Sequence, residues 1–240
     1  TAVPHDAPPN GRRPRRPSRA GRAPAGTGVA GGQPGGLGVD GGGRGESLGA
    51  HAAGGALGSR PHRGPAPADA DGVIVAFEDP SCSRCRVFEQ QVVPQIRSNL
   101  VDPGKAAYVF RGYPVVYDWG EPATQALEAT YARSESAFWA LVGHYFDEQD
   151  TLRSAGRDQV YPRTRSFLRD QTDLDTDAVI EGARAEDGDA GAAVQADLNA
   201  GMDAGAGRTT PHVFLFRDGE YLTKVSGSTS YNAISGALQL

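Results

Sequence analysis

Lysine is nearly missing from this 240-residue chain: Lys105 and Lys224 stand against 22 arginines. With abundant Asp, Ala and Gly, that scarcity points to a GC-rich genome. Cysteine is confined to Cys82 and Cys85. With no further cysteine, and with His144 and His212 isolated from the pair in the sequence, a zinc site lacks its third and fourth ligands. No apolar run is long enough to cross a bilayer, which excludes a membrane-spanning helix. Residues 1–70 contain no Phe, Trp, Tyr, Lys or Cys, while 18 Gly and 10 Pro fill 40% of the segment. Such a composition cannot bury enough apolar surface to offset chain entropy, so 1–70 is expected to be a disordered leader.

That leader holds nine Arg, five of them in a basic stretch from Gly11 to Arg19, and four acidic residues. Nucleic-acid binding is not the favoured reading of this arm. Its twin arginines lack the apolar stretch that would make them part of a readable signal peptide. The chain opens on Thr1, which reads as a processed, truncated or otherwise irregular start. Residues 71–240 differ sharply: they carry all eighteen aromatics, 15 basic and 25 acidic residues. This is one ordinary acidic domain, with a surface suited to high salt or simply to solubility.

The chemistry is concentrated in Val73–Arg86. Val73 to Phe77 reads as a short buried strand, Asp79-Pro80-Ser81 as a turn, and Cys82-Ser83-Arg84-Cys85 as the opening of a helix. At a helix N-terminus, free N–H groups stabilise a thiolate at Cys82, and Arg84 and Arg86 are expected to add to this. Cys85 lies one turn on, within reach of a disulfide. A purely structural disulfide remains open, although so small a loop constrains little unfolded chain.

Further along, Pro94 is expected to kink the first helix, and Ala106–Arg111 reads as a second strand. A helical block of about ninety residues follows, roughly 118–207, with candidate helices at 123–133, 136–148, 163–170, 176–186 and 190–204. Strands at 209–216 and 221–225 flank an Asp218-Gly219 turn, and a last helix spans 231–240. The order of elements gives an α/β domain over 71–240 with a helical insertion.

With the strand feeding Cys82-Ser83-Arg84-Cys85, the run VVPQIRSNLVDPGKAAYVFRGYPV, the helical insertion and GRTTPHVFLFRDGE near the end, residues 71–240 resemble the DsbA-like group of thioredoxin-fold proteins. The resemblance implies a mixed central sheet flanked by helices. It also implies that Pro211 is a cis-proline beside the cysteines, and that the backbone of Thr210 and Pro211 pairs with an extended substrate segment. The buried acid common six residues before the first cysteine is replaced by Ala76. Strand alternation puts Glu78 on the same face and nearer the cysteines, as a substitute acid or as a solvated strand end. The edge strand that should precede the catalytic one is not legible in 50–70, so the sheet is expected to be one strand short.

The expected activity is thiol–disulfide exchange through Cys82 and Cys85, oxidising protein substrates, with Ser83 and Arg84 favouring the reduced form. It needs no metal or other cofactor. Its partners are protein or small thiol substrates and a redox partner that recycles the pair. A reductase of the same fold, thioredoxin-like or glutathione-dependent, and a non-catalytic binding module remain open. An oxidase belongs in an extracytoplasmic compartment, a reductase in the cytoplasm.

Overall fold

In the computed structural model of this chain, residues 45–240 are described; the basic stretch and the rest of the expected leader up to residue 44 lie outside them. Five strands form one mixed sheet: β1 (His62–Arg63), β2 (Gly72–Glu78), β3 (Ala106–Gly112), β4 (His212–Arg217) and β5 (Glu220–Ser226), in the order β1-β3-β2-β4-β5. β2 runs parallel to β3, with Val75 beside Val109, and antiparallel to β4, with Val75 beside Phe214. Every residue of β2 and β3 is buried, as expected of strands covered on both faces.

Strand alternation divides the sheet's side chains into two layers. Ile74, Ala76, Tyr108, Val213 and Leu215 face Phe88, Val92 and Ile96 of the cysteine helix and Ile234 and Leu238 of the C-terminal helix. Val73, Val75, Phe77, Val109, Phe214 and Phe216 face the other way, against Ala53, Leu57 and Tyr113. Full burial of one such aliphatic or aromatic side chain is worth ~1.5–3 kcal/mol.

Two expectations are corrected here. The sheet does have its first edge strand: β1 pairs antiparallel with β3, His62 opposite Val109. Two polar residues carry no periodicity to read, which is why the sequence hides it. The ordered domain, moreover, begins well before residue 71. Leu48 N–H bonds the Gly219 carbonyl at 2.7 Å, Ala53 and Leu57 are buried, and His51 stacks on Tyr221 at 4.3 Å. In place of aromatics of its own, this stretch lays backbone, small residues and one histidine over the sheet's aromatics.

The cysteine helix runs through residues 83–101. α-Helical turns α1 (Ser83–Val87) and α2 (Val93–Ile96) alternate with wider π-helical turns at Phe88–Val92 and Arg97–Val101. The first wide turn sits just ahead of Pro94, where the ring and its missing N–H need room.

The helical block between β3 and β4 comprises α3 (Gly120–Tyr131), α4 (Glu135–Asp147), α5 (Gln149–Ala155), α6 (Val160–Gln171), α7 (Thr176–Arg184) and α8 (Asp189–Asp203). Ser134 caps α4 by accepting the Ala137 N–H, and Asp175 caps α7 through two N–H groups. Phe138, Leu141, Val142, Tyr145 and Phe146 of α4 pack with Trp119, Leu127 and Leu168, and this core also contains Phe110, Cys82 and Cys85. α5, seven residues long, had no separate signal in the sequence. At the β4–β5 hairpin Asp218 and Gly219 both take positive φ, 53° and 76°, which is what an Asp-Gly turn of this hand requires. The chain ends in α9 (Tyr231–Leu238).

Candidate active site

β2 delivers the chain to the site and stops at Glu78. Asp79 then organises the turn that follows. Its Oδ1 accepts from the Ser81 N–H at 2.7 Å and the Ser81 hydroxyl at 2.6 Å, and its Oδ2 accepts from the N–H groups of Val115 and Val116 at 2.9 and 2.8 Å. Ser81 Oγ in turn accepts the Tyr117 N–H at 3.1 Å. The turn before the cysteines is thereby fixed to the segment after β3. Gly120 closes the arrangement: a Cβ there would lie 2.5 Å from Asp79 Oδ1.

Cys82 is the N-cap of α1, in extended conformation, and Cys85 lies within the helix's first turn. Both are free thiols, and both are buried, Cys82 to 3% exposure and Cys85 completely. Their environments pull them apart. The Cys82 thiol is lowered to about 5, first by a hydrogen bond from Cys85, which outweighs burial, then by the Thr210 hydroxyl and the N–H groups of Cys85 and Arg84. The Cys85 thiol is pushed well up by burial and by serving as the donor to Cys82. Cys85 Sγ also lies 3.5 Å from the Asp79 N–H.

Ser83 and Arg84 are exposed, and Arg86 pairs with Asp150 at 3.0 Å. What lowers Cys82 is short-range donation from Cys85, Thr210 and two helix N–H groups.

Thr210 and Pro211 lie across the cysteines. The Thr210–Pro211 peptide is cis, and the Thr210 carbonyl sits 3.5 Å from Cys82 Sγ. Thr210 is fully buried. His212, next to Pro211, bonds Thr209 Oγ1 at 3.0 Å and Ser226 Oγ at 2.7 Å, so it fastens the loop to β5. Burial lowers its imidazole to about 4, with Lys224 adding to the effect, and it is neutral at physiological pH.

Glu78 is fully buried, not a solvated strand end. Its Oε1 accepts from the Tyr108 hydroxyl at 2.6 Å, and burial raises its carboxyl well above the usual range. Sequence reasoning missed Asp79, Tyr108, His212, Glu89, whose Oε1 accepts from the Tyr108 hydroxyl at 2.8 Å, and Gln149, whose amide donates to the Pro80 and Cys82 carbonyls, as parts of the site. Asp79 had a signal, since Asp-Pro-Ser before a helix is a capping pattern; the others come from remote elements. Among the described residues, no group of three or more His, Cys, Asp or Glu is placed to hold a metal ion.

The comparisons with known proteins agree with this architecture. A family model described as thioredoxin matches residues 61–239. A probable disulfide bond formation protein D of Bacillus anthracis is 27% identical over 81 residues, 34% of this chain. Those residues span only 37% of that relative's length. Among solved structures, Wolbachia pipientis α-DsbA1 superposes with a TM-score of 0.62 at 17% identity, covering 75% of this chain and 89% of that one. BdbD from Bacillus subtilis, in its oxidised form, gives a TM-score of 0.62 at 18% identity, covering 77% and 96%.

Proposed function

The chain belongs to the thioredoxin family, and from that premise we propose that it is a thiol–disulfide oxidoreductase that oxidises protein thiols through Cys82 and Cys85. One observation carries this reading: the two sulfurs are held in opposite states, Cys82 lowered to about 5 and Cys85 pushed well up. At neutral pH Cys82 is the thiolate, hence the attacking group and the better leaving group. Stabilising the thiolate stabilises the reduced pair, which makes the disulfide a stronger oxidant.

In the oxidising direction a substrate thiolate attacks Cys82 Sγ, the Cys82–Cys85 bond breaks, and Cys85 leaves with the electron pair and takes up a proton. The substrate's second thiolate then attacks the substrate sulfur bonded to Cys82 Sγ, and that mixed disulfide bond breaks. That releases Cys82 as thiolate and leaves the substrate disulfide. Thr210 and Pro211 supply the backbone for an extended substrate segment, which their place over Cys82 supports. A second redox protein must return the cysteines to the disulfide. The compartment this chemistry fits is extracytoplasmic; among the described residues no helix is long and apolar enough to cross a membrane.

The test is the reduction potential of the full chain, equilibrated against glutathione buffers with free thiols counted. A value near about −120 mV is expected for an oxidase with a stabilised reduced form. A value near about −270 mV transfers the reading to a reductase. A pair that never cycles removes the redox reading altogether.

A further inference from the structure

Several arginines on this surface are matched with a carboxylate. Arg86 and Arg157 pair with Asp150 and Glu121 at 3.0 Å, and Arg165 pairs with Asp177 at 2.9 Å. Arg84 and Arg208 are exposed and not matched in this way: among the described residues, neither side chain forms an ion pair or a hydrogen bond.

These two arginines stand at opposite ends of the Thr210–Pro211 strip. Arg84 lies between the cysteines, and its Nη1 is 3.8 Å from the point that a Cβ on Gly227 would occupy. The Gly227 N–H donates to the Pro211 carbonyl at 2.9 Å, so this guanidinium is beside the proline end. Arg208 comes two residues before Thr210, at the other end. Its loop is fastened by the Tyr113 hydroxyl, which donates to the Gly207 carbonyl at 2.7 Å, and by Lys224 Nζ, which donates to the Gly205 carbonyl at 2.8 Å. The charges of Arg84 and Lys224 both bear on His212, the residue after Pro211.

The two acids just ahead of the cysteines do not offset these cations at the surface. Asp79 is buried and accepts from Ser81, Val115 and Val116, and Glu78 is buried against Tyr108. Residues 71–240 hold 25 acidic and 15 basic residues, so the rim of the strip has the opposite sign to the domain that carries it. Such a patch draws anionic partners and repels cationic ones.

We propose that Arg84 and Arg208 select acidic substrates: an extended segment lying along Thr210 and Pro211 presents a Glu or Asp to each arginine, on either side of the cysteine that meets Cys82. The inference rests on the oxidoreductase reading and names its substrate class. An extended segment advances ~3.3 Å per residue, which places the matching carboxylates two or three positions from the cysteine. Carboxylates so close to a thiol disfavour its thiolate, and the two arginines offset that penalty when the thiolate attacks.

The test presents the full chain, in its disulfide form, with reduced dithiol peptides that differ only in flanking Glu, Gln or Lys. Each rate is normalised to that peptide's reaction with a small uncharged disulfide. At low ionic strength the Glu peptide is expected to be oxidised about tenfold faster than the Gln peptide, and the Lys peptide more slowly than either. The differences should collapse near 1 M salt, where the screening length falls to ~3 Å. Arg84→Gln and Arg208→Gln are each expected to lower the Glu-to-Gln ratio about two- to fivefold. A ratio taken within one variant cancels any change in the cysteine pair itself. Arg84→Glu combined with Arg208→Glu should turn the preference to the Lys peptide. Equal normalised rates for Glu and Gln in the wild type, a ratio that neither single variant lowers, or a double reversal that still prefers Glu overturns the selection and leaves the oxidoreductase reading standing. A wild type that oxidises none of the three peptides overturns both.

Discussion

The side-chain amide of Gln149 donates to the Cys82 carbonyl at 3.0 Å and to the Pro80 carbonyl at 2.8 Å. A residue at the start of α5, sixty-seven positions away, thus holds the backbone on both sides of Ser81. One buried side chain of the helical insertion thus ties down two carbonyls of the reactive turn.

Gln149→Leu keeps the volume and removes both donors, leaving two carbonyls that must find water. A loss of about 1–3 kcal/mol in unfolding free energy is expected, measured by denaturant titration of the reduced protein. The Cys82 alkylation rate should change as well, because its N-cap position is no longer held.

Cys85→Ala is expected to trap a mixed disulfide between Cys82 and substrate, since the resolving sulfur is gone. Cys82→Ala should trap none, because the remaining thiol is buried and protonated. Mass spectrometry after incubation with a dithiol peptide distinguishes the two. Equal trapping by both variants contradicts the assigned order of attack.

Stability should depend on pH differently in the two redox forms. Cys82 is lowered from its ordinary 9.0 to about 5, so its contribution to the dithiol form is fully present above pH 9 and is lost as pH falls through 5. Cys85 is raised and stays protonated through that window, so it adds no slope there. The dithiol form should therefore lose about 2–3 kcal/mol relative to the disulfide form between pH 7 and pH 4.5. Parallel unfolding curves at the two pH values measure it. Equal losses in the two forms would show that Cys82 is not the thiolate.

Glu128 has the opposite sign. Burial, reinforced by Asp197 and only partly countered by Arg60, raises its carboxyl to about 7. The folded chain therefore holds this proton where the unfolded chain has lost it, a stabilisation that fades as pH rises through 7. Glu128→Gln is expected to gain up to about 3 kcal/mol over the wild type at pH 8.5 and little at pH 4. Thermal denaturation at both values checks it.

The sequence makes the reactive stretch readable because its signals are local. Val73–Phe77 is a continuous apolar run, Asp79-Pro80-Ser81 is turn chemistry, and the cysteines fall one helical turn apart. The hairpin is legible for the same reason, in Asp218-Gly219. The contact of Tyr108 with Glu78 and Glu89 is not: the three are brought together only by the parallel pairing of β2 with β3 and by the helix packed across them. Parity along β2 does place Glu78 on the face of Ala76. Its burial depends on what the helix covers, which no periodicity shows. The charge of Arg84 and Arg86 is visible in the sequence, whereas the Cys85 thiol donating to Cys82, the largest cause of its lowering, is not.

The stretch ahead of β2 decides where this chain can be shortened. Arg60 and Arg111 meet Asp197 of α8 at 3.0 and 2.8 Å, with all three side chains buried, and Arg111 also donates to the carbonyls of Ala53 and Gly55. Cutting at residue 71 strips β1 from the sheet, bares the unpaired flank of β3 to other chains, and uncovers Phe214, Phe216 and Tyr221 where His51 had lain. A fragment begun there is prone to join edge to edge with its own copies, however intact its cysteines; one begun at residue 45 keeps its flank closed.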